Sequence, residues 1–465
     1  MEKEDDFLCK ELIEFNSYNE VRLRSIQGNI LDKHGGGIEV FVFLDFEKLA
    51  DDAAKSKLAK MAKDITSAWS QFEQSKNLKD ENLETFLGVY LTYDGYICLG
   101  IDNKAIPSGE AFRSGMDKRD LGDPSREEWE LPFKGNVHAC LLLIDNRLTD
   151  LENRVDSLKE AWGEAIANIQ WGRKLLNHHK QTIEHFGYVD GISQPIFTKK
   201  AYDKVKNKTR WDPKANLSLV LSPEPNTCSY GSYLVFRKLE QNVKAFKEAE
   251  KKLAEFLGFV GETEEVAGAL IVGRFENGLP VVKMGSVLDP EIPSEDNDFQ
   301  FDIDPDGVRC PFHSHIRKTN PRGDNDRFFG KEENRIGEKE RLHRIARRGI
   351  TYDDIGRGGN LEFYPDAGVG LLFLCFQSNI ENQFEFIQRN WVNNNDFPVP
   401  FTGIDPLIGQ GKNRSDLAHN DAEQKWMDVH RLPKSKSLSD FVTMKGGAYF
   451  YAPSIIFFKN LTEET

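Results

Sequence analysis

The sequence predicts an α+β protein in two halves, and three observations carry that prediction. Strand-like runs rich in β-branched and aromatic residues recur in both halves, helical patterns lie between them, and a Pro/Asn/Ser-rich segment at 209–231 separates the two sets. At 465 residues the chain also exceeds the size at which one hydrophobic core normally keeps growing. The division is placed at residue 215, giving halves 1–215 and 216–465 with no legible internal repeat.

In chain order, IEVFVFLDF (38–46), FLGVYLTY (86–93) and VHACLLLID (137–145) read as strands of the first half. GSYLVFRKLE (231–240), EVAGALIVGRF (265–275), GVGLLFLCFQ (368–377) and GAYFYAPSIIFF (447–458) read as strands of the second. The stretches 47–72 and 242–259 carry apolar residues at helical spacing with charges on the other face. NPRGDNDRFFGKEENRIGEKER (320–341) reads as a charged surface loop.

Composition narrows the function. A net charge of −14 argues against nucleic acid, which selects a basic face. The six cysteines are scattered without a C-x-x-C pair, so a reducing, cytoplasmic compartment is expected. The acidic N-terminus lacks the features of a secretory signal, and no apolar stretch has the length of a membrane span.

Two segments draw attention as sites. GYVDGISQP (187–195) holds Asp190 between two glycines, which let a backbone bend or approach another body closely. CPFHSHIRKTNPR (310–322) sets His313 and His315 among cationic and amide side chains, and imidazole is a common ligand of iron.

Taken in order with RRGITY (347–352) and GLLFLCFQSNIENQFEFIQRNW (370–391), these segments resemble the dye-decolorizing peroxidases, a family of heme enzymes. IQGNILDKHG (26–35) and MKGGAYFYAPS (444–454) extend the resemblance over nearly the whole chain. It implies two ferredoxin-like modules, each an antiparallel sheet with helices, in a dimeric α+β barrel-like arrangement. The first module would carry the GYVDG motif, and the second would hold one heme b per chain. His315 would be the iron ligand, with His313 in reserve and Asp396 a candidate acceptor for the other ring nitrogen. Arg322 or Arg317 would pair the heme carboxylates, and Leu371 and Phe373 would line the distal face.

The implied activity is reduction of hydrogen peroxide and one-electron oxidation of dyes, phenols or similar small aromatic donors. Asp190 would move the peroxide proton, and Arg347 would steady developing negative charge. Arg348 is the reserve, since neighbouring strand residues face opposite sides. Tyr352 and Trp391 match positions that resemble surface electron-transfer sites. The alternative is a heme-binding or heme-handling protein with incidental peroxidase activity. No nucleic acid or membrane partner is expected, and homo-oligomerisation stays open.

Overall fold

The computed structural model describes residues 5–76, 84–225, 227–261, 264–283, 294–330, 338–356, 360, 363–410 and 441–462. The first half supplies β1 (Ile38–Leu44), β2 (Phe86–Leu91), β3 (Ala139–Asp145) and β4 (Ile166–Arg173). Two short strands follow, β5 (Leu175–Leu176) and β6 (Thr182–Ile183), paired with each other. The second half supplies β7 (Ser222–Pro223), β8 (Tyr230–Gln241), β9 (Ala346–Arg347), β10 (Ile350–Asp353), β11 (Val369–Gln377) and β12 (Val442–Ala452).

Each half has the same antiparallel strand order. β2-β3-β1-β4 and β10-β11-β8-β12 both run second, third, first, fourth, the ferredoxin-like arrangement. The two sheets join where Tyr451 of β12 pairs Leu91 of β2. Their outer strands also meet: Gln170 Nε2 on β4 donates to Asp354 Oδ1 at 3.0 Å, and Thr351 Oγ1 on β10 donates to the Arg173 carbonyl. The sheet therefore curls towards a barrel. Its core is common to both halves, with Phe236 of β8 lying 5.3 Å from Phe41 and 5.2 Å from Phe43, ring to ring.

Several segments depart from the sequence reading. Residues 265–272, expected as strand, form the helix Glu265–Val272. Val266 to Val272 are all buried, so the run shows neither helical nor strand periodicity; Ala267, Ala269 and Leu270 favour helix, and Gly273 at φ 93° ends it. The run at 447–458 is strand only to Ala452, because Pro453 follows and Ser454 caps the helix Ile455–Lys459. The stretch 47–72 contains two helices, Ala53–Met61 and Ala68–Gln74, the second opened by a Ser67–Ser70 capping box. Strand β4 and the helix Leu148–Trp162 were not anticipated at all. The charged loop at 320–341 contains the helix Asp324–Phe329, while 331–337 lie outside the described residues. No helix among the described residues is long and apolar enough to cross a membrane.

Candidate active site

A cavity with about 1820 Å³ of empty space, part of it open to solvent, lies against the second-half portion of the sheet. Strand alternation supplies its floor: Arg237, Leu239 and Gln241 of β8 and Leu371 and Phe373 of β11 line it, while Leu372 and Leu374 enter the shared core. Phe384 and Ile387, from the helical segment 381–392, add apolar wall.

The Asp190 motif forms one side of the cavity. The turn is closed by Glu184 N–H donating to the Tyr188 carbonyl and Asp190 N–H donating to the Thr182 carbonyl, each at 3.0 Å. The Glu184 carboxylate accepts the backbone N–H groups of Phe186 at 2.8 Å and Tyr188 at 3.0 Å, and an N–H of Gln241 Nε2. Burial pushes this carboxyl up to about 7. The two glycines have different uses. Gly187, at φ 108°, packs against the Glu276 carboxylate, whereas a side chain on Gly191, at φ 87°, would meet nothing within 4 Å. Gly191 alone of the two lines the cavity.

Asp190 is paired. Arg347 Nη1 donates to its Oδ1 at 2.9 Å, and Arg347 Nη2 reaches the Ser193 carbonyl at 3.3 Å. Burial alone would raise the Asp190 carboxyl, but the Arg347 charge, aided by Lys33 and hydrogen bonds, outweighs it and holds the group below its ordinary value. Arg348 turns the other way. It is buried, and its guanidinium donates to the carbonyls of Asn29 at 2.6 Å and Ile30 at 2.8 Å, clamping the IQGNILDKHG segment.

His315 opens the short helix His315–Thr319 and also lines the cavity. Its Nδ1 lies 2.8 Å from Asp405 Oδ2, and Asp405 is fully buried with Oδ1 accepting the N–H groups of Leu407 and Ile408. With Nδ1 donating to that carboxylate, the lone pair resides on Nε2. Asp396, the acceptor expected from sequence, instead accepts the Phe401 N–H at 2.9 Å. His313 and Arg317 are absent from the cavity wall; Arg317 is buried in ion pairs with Asp304 and Asp324. Arg322 does line it, buried, donating to the carbonyls of Asn297 and Phe299 and to Ser193 Oγ at 2.9 Å.

The chain matches the description "DyP dimeric alpha+beta barrel domain" over residues 25–172 and "Dyp-type peroxidase, C-terminal" over 184–398. It is 40% identical to the multifunctional dye peroxidase DyP2 of Amycolatopsis, with 94% of this chain and 96% of that protein aligned. The chain belongs to the dye-decolorizing peroxidase family. A dye-decolorizing peroxidase of Mycetinis scorodonius is 32% identical over 94% of this chain and 86% of its own length. The crystal structure of the Anabaena DyP-type peroxidase superposes with a TM-score of 0.86 at 39% identity, covering 98% of this chain and 99% of that one.

Members of the dye-decolorizing peroxidase family are heme enzymes, and the residues of the cavity fit the group. The wall is apolar across Leu371, Phe373, Phe384 and Ile387, one imidazole faces in with its far nitrogen held, and Gly191 leaves room beside Asp190. Arg322 and Arg274, both buried, donate to carbonyls, a hydroxyl and the Asn297 amide oxygen, so neither guanidinium has a carboxylate hydrogen-bond partner among the described residues. Two buried cations with neutral partners suit the two carboxylates of a heme.

Tyr352 and Trp391 are not at the surface. Tyr352 is 2% exposed and Trp391 3%, and neither lines the cavity. The Tyr352 hydroxyl is buried with no hydrogen-bond partner among the described residues, and Trp391 stacks on Phe397 at 5.5 Å. The family resemblance alone placed them at the surface, and an aromatic at a strand or helix edge carries no mark of its own of which side it faces. Sequence reading missed Asp405 and Arg274, whose neighbours in sequence give no sign of the cavity, and it gave no role to Glu184, which lies just ahead of the Asp190 motif.

Proposed function

We propose that this member of the family reduces hydrogen peroxide at heme b and oxidises dyes, phenols or similar aromatic donors one electron at a time. One observation carries the reading: an Asp190–Arg347 ion pair and a carboxylate-backed His315 face the same cavity. Heme, when bound, supplies the iron at which the O–O bond is cleaved. His315 Nε2 is the proposed ligand, and Asp405 fixes the ring and raises its basicity. Arg322 and Arg274 hold the carboxylates of the group. Leu371 and Phe373 keep the distal side apolar, which strengthens each charge interaction there.

Asp190 takes the proton from one peroxide oxygen and returns it to the other, and the hydrogen bond from Arg347 keeps it ionised for the first step. Arg347 also stabilises negative charge on the departing oxygen. Storage or delivery of heme, the alternative role, gives no use to this pair. A cytoplasmic setting is part of the proposal and rests on the scatter of the six cysteines.

The test is an absorbance spectrum of the purified protein before and after peroxide. A Soret band that shifts on peroxide addition is expected, and His315→Ala should purify folded but depleted of heme. A normal histidine-ligated spectrum in His315→Ala, lost instead in His313→Ala, would reverse the ligand assignment.

A further inference from the structure

The chain carries a net charge of −14, yet four guanidiniums gather at one end of the cavity. Trp211, 3% exposed and part of the cavity wall, has Arg322 and Arg341 each 4.6 Å from its ring and Arg344 at 5.9 Å. Arg274 and Arg322 share the ring of Phe299, at 5.5 and 4.0 Å, and the Asn297 amide oxygen. The crowding acts on the groups themselves. Arg322 is held well below its ordinary value, first by burial and then by the charges of Arg274, Arg344 and Arg341, with Asp296 acting the other way.

The platform is rigid before any ligand arrives. The Asp298 carboxylate accepts the N–H groups of Arg210 at 2.7 Å and Trp211 at 2.8 Å and the Thr209 hydroxyl at 2.7 Å, pinning the segment that carries the indole. Arg341 Nη1 then donates to the Asp212 carbonyl at 2.7 Å, and Arg344 Nη2 to the Lys214 carbonyl at 3.0 Å. Two heme carboxylates offset the buried pair, Arg274 and Arg322. Arg341 and Arg344 are half-buried, and Arg341 sits on the helix Glu338–Leu342.

We propose that Arg341 and Arg344, stacked over Trp211 at the edge of the cavity, form a docking subsite for the sulfonate or carboxylate of an anionic aromatic reducing substrate. The inference rests on the peroxidase reading above. A planar guanidinium pairs such an anion through two N–H groups, and its outward face offers a flat surface for the attached ring. The indole beneath is covered, so the substrate ring lies on the arginines rather than on the tryptophan. Because Arg344 and Trp211 also line the cavity, an anchored donor would stand at the wall of the pocket that Arg322 and Arg274 would give to the heme.

The test measures equilibrium binding of anthraquinone-2-sulfonate to the heme-loaded protein without peroxide, against its uncharged hydroxymethyl analogue. Wild type should bind the sulfonate more tightly, and the preference should shrink as salt rises. Arg341→Gln should weaken the sulfonate about two- to fivefold, and Arg341→Gln/Arg344→Gln about tenfold, with the uncharged analogue unaffected. Equal binding of both compounds by wild type, or an undiminished preference in the double variant, overturns the proposal. So does loss of the Soret band in Arg341→Gln, which would make that residue part of the heme clamp. A Soret band that ignores peroxide in wild type defeats the peroxidase reading and this one together; a normal peroxide response without sulfonate preference defeats this one alone.

Discussion

Asp190 has a charge beside it, and in the proposed mechanism that pairing sets how the enzyme responds to pH. An ordinary aspartate ionises at ~3.9, and Asp190 lies below that because burial, the largest single effect, is outweighed by the Arg347 charge, the Lys33 charge and hydrogen bonds acting together. The proposed base is therefore ionised throughout the neutral range and into acid, so the rate of reaction with peroxide should hold until the pH falls below the usual carboxylate range. Asp190→Asn should slow that reaction by about 10²–10⁴-fold in stopped-flow mixing. Arg347→Leu should be at least as damaging and should move the acid limb to higher pH, because burial then goes less opposed. An unmoved acid limb in Arg347→Leu would mean that Arg347 does not set the ionisation of Asp190. The proposed pair came from the family resemblance, and strand alternation added only that one of Arg347 and Arg348 can face the cavity. Asp405 was not legible in sequence: it lies 90 residues beyond His315, and only the fold brings them within 2.8 Å.

Among the elements, β1 shows how a strand that looks ordinary can carry a titrating group into the core. All seven of its residues are buried, and Glu39 among them is 2% exposed, its Oε2 without a hydrogen-bond partner among the described residues. Burial pushes the Glu39 carboxyl up to about 7, against the lowering charges of Lys33 and Lys174. In the unfolded chain a glutamate releases its proton near ~4.3, so between that pH and about 7 the folded state holds a proton that the unfolded state has lost. Stability therefore falls as pH rises through this window. Glu39→Gln should flatten the fall by one proton's worth, read as the slope of thermal midpoint against pH, and should leave the variant the more stable above neutrality. An unchanged slope would show that Glu39 ionises in the folded state as it does in the unfolded chain. Sequence pattern found β1 easily because of its apolar run. It could not rank Glu39 as buried, since alternation normally sends such a residue to solvent, and here both faces are covered. The helix Glu265–Val272 was misread for the same reason, as burial on every side erases the period that separates helix from strand.

At the scale of the molecule, the division near residue 215 is a boundary of sequence that the core does not respect. The strand order repeats in each half, which is why two ferredoxin-like modules could be expected, but the sheets are joined edge to edge at Tyr451 and Leu91. Phe41 and Phe43 of the first half pack on Phe236 of the second, Tyr90 meets Phe376 at 5.9 Å, and Arg348 holds the backbone of residues 29 and 30. Each large apolar side chain so buried is worth about 1.5–3 kcal/mol, and separating the halves would expose several at once. That loss is comparable with the whole net stability of an ordinary domain, about 5–15 kcal/mol. The site is divided in the same way: Asp190 precedes residue 215, while Arg347 and His315 follow it, so neither half holds a complete cavity. Fragments 1–215 and 216–465 expressed alone should therefore show no sharp thermal transition and bind no heme with a histidine spectrum. Expressed together, they should copurify and regain both. A cooperative melt in either isolated fragment would mean that the half can close its own core, and the interlocking of Phe41, Phe43 and Phe236 would then add to a fold already formed rather than make it.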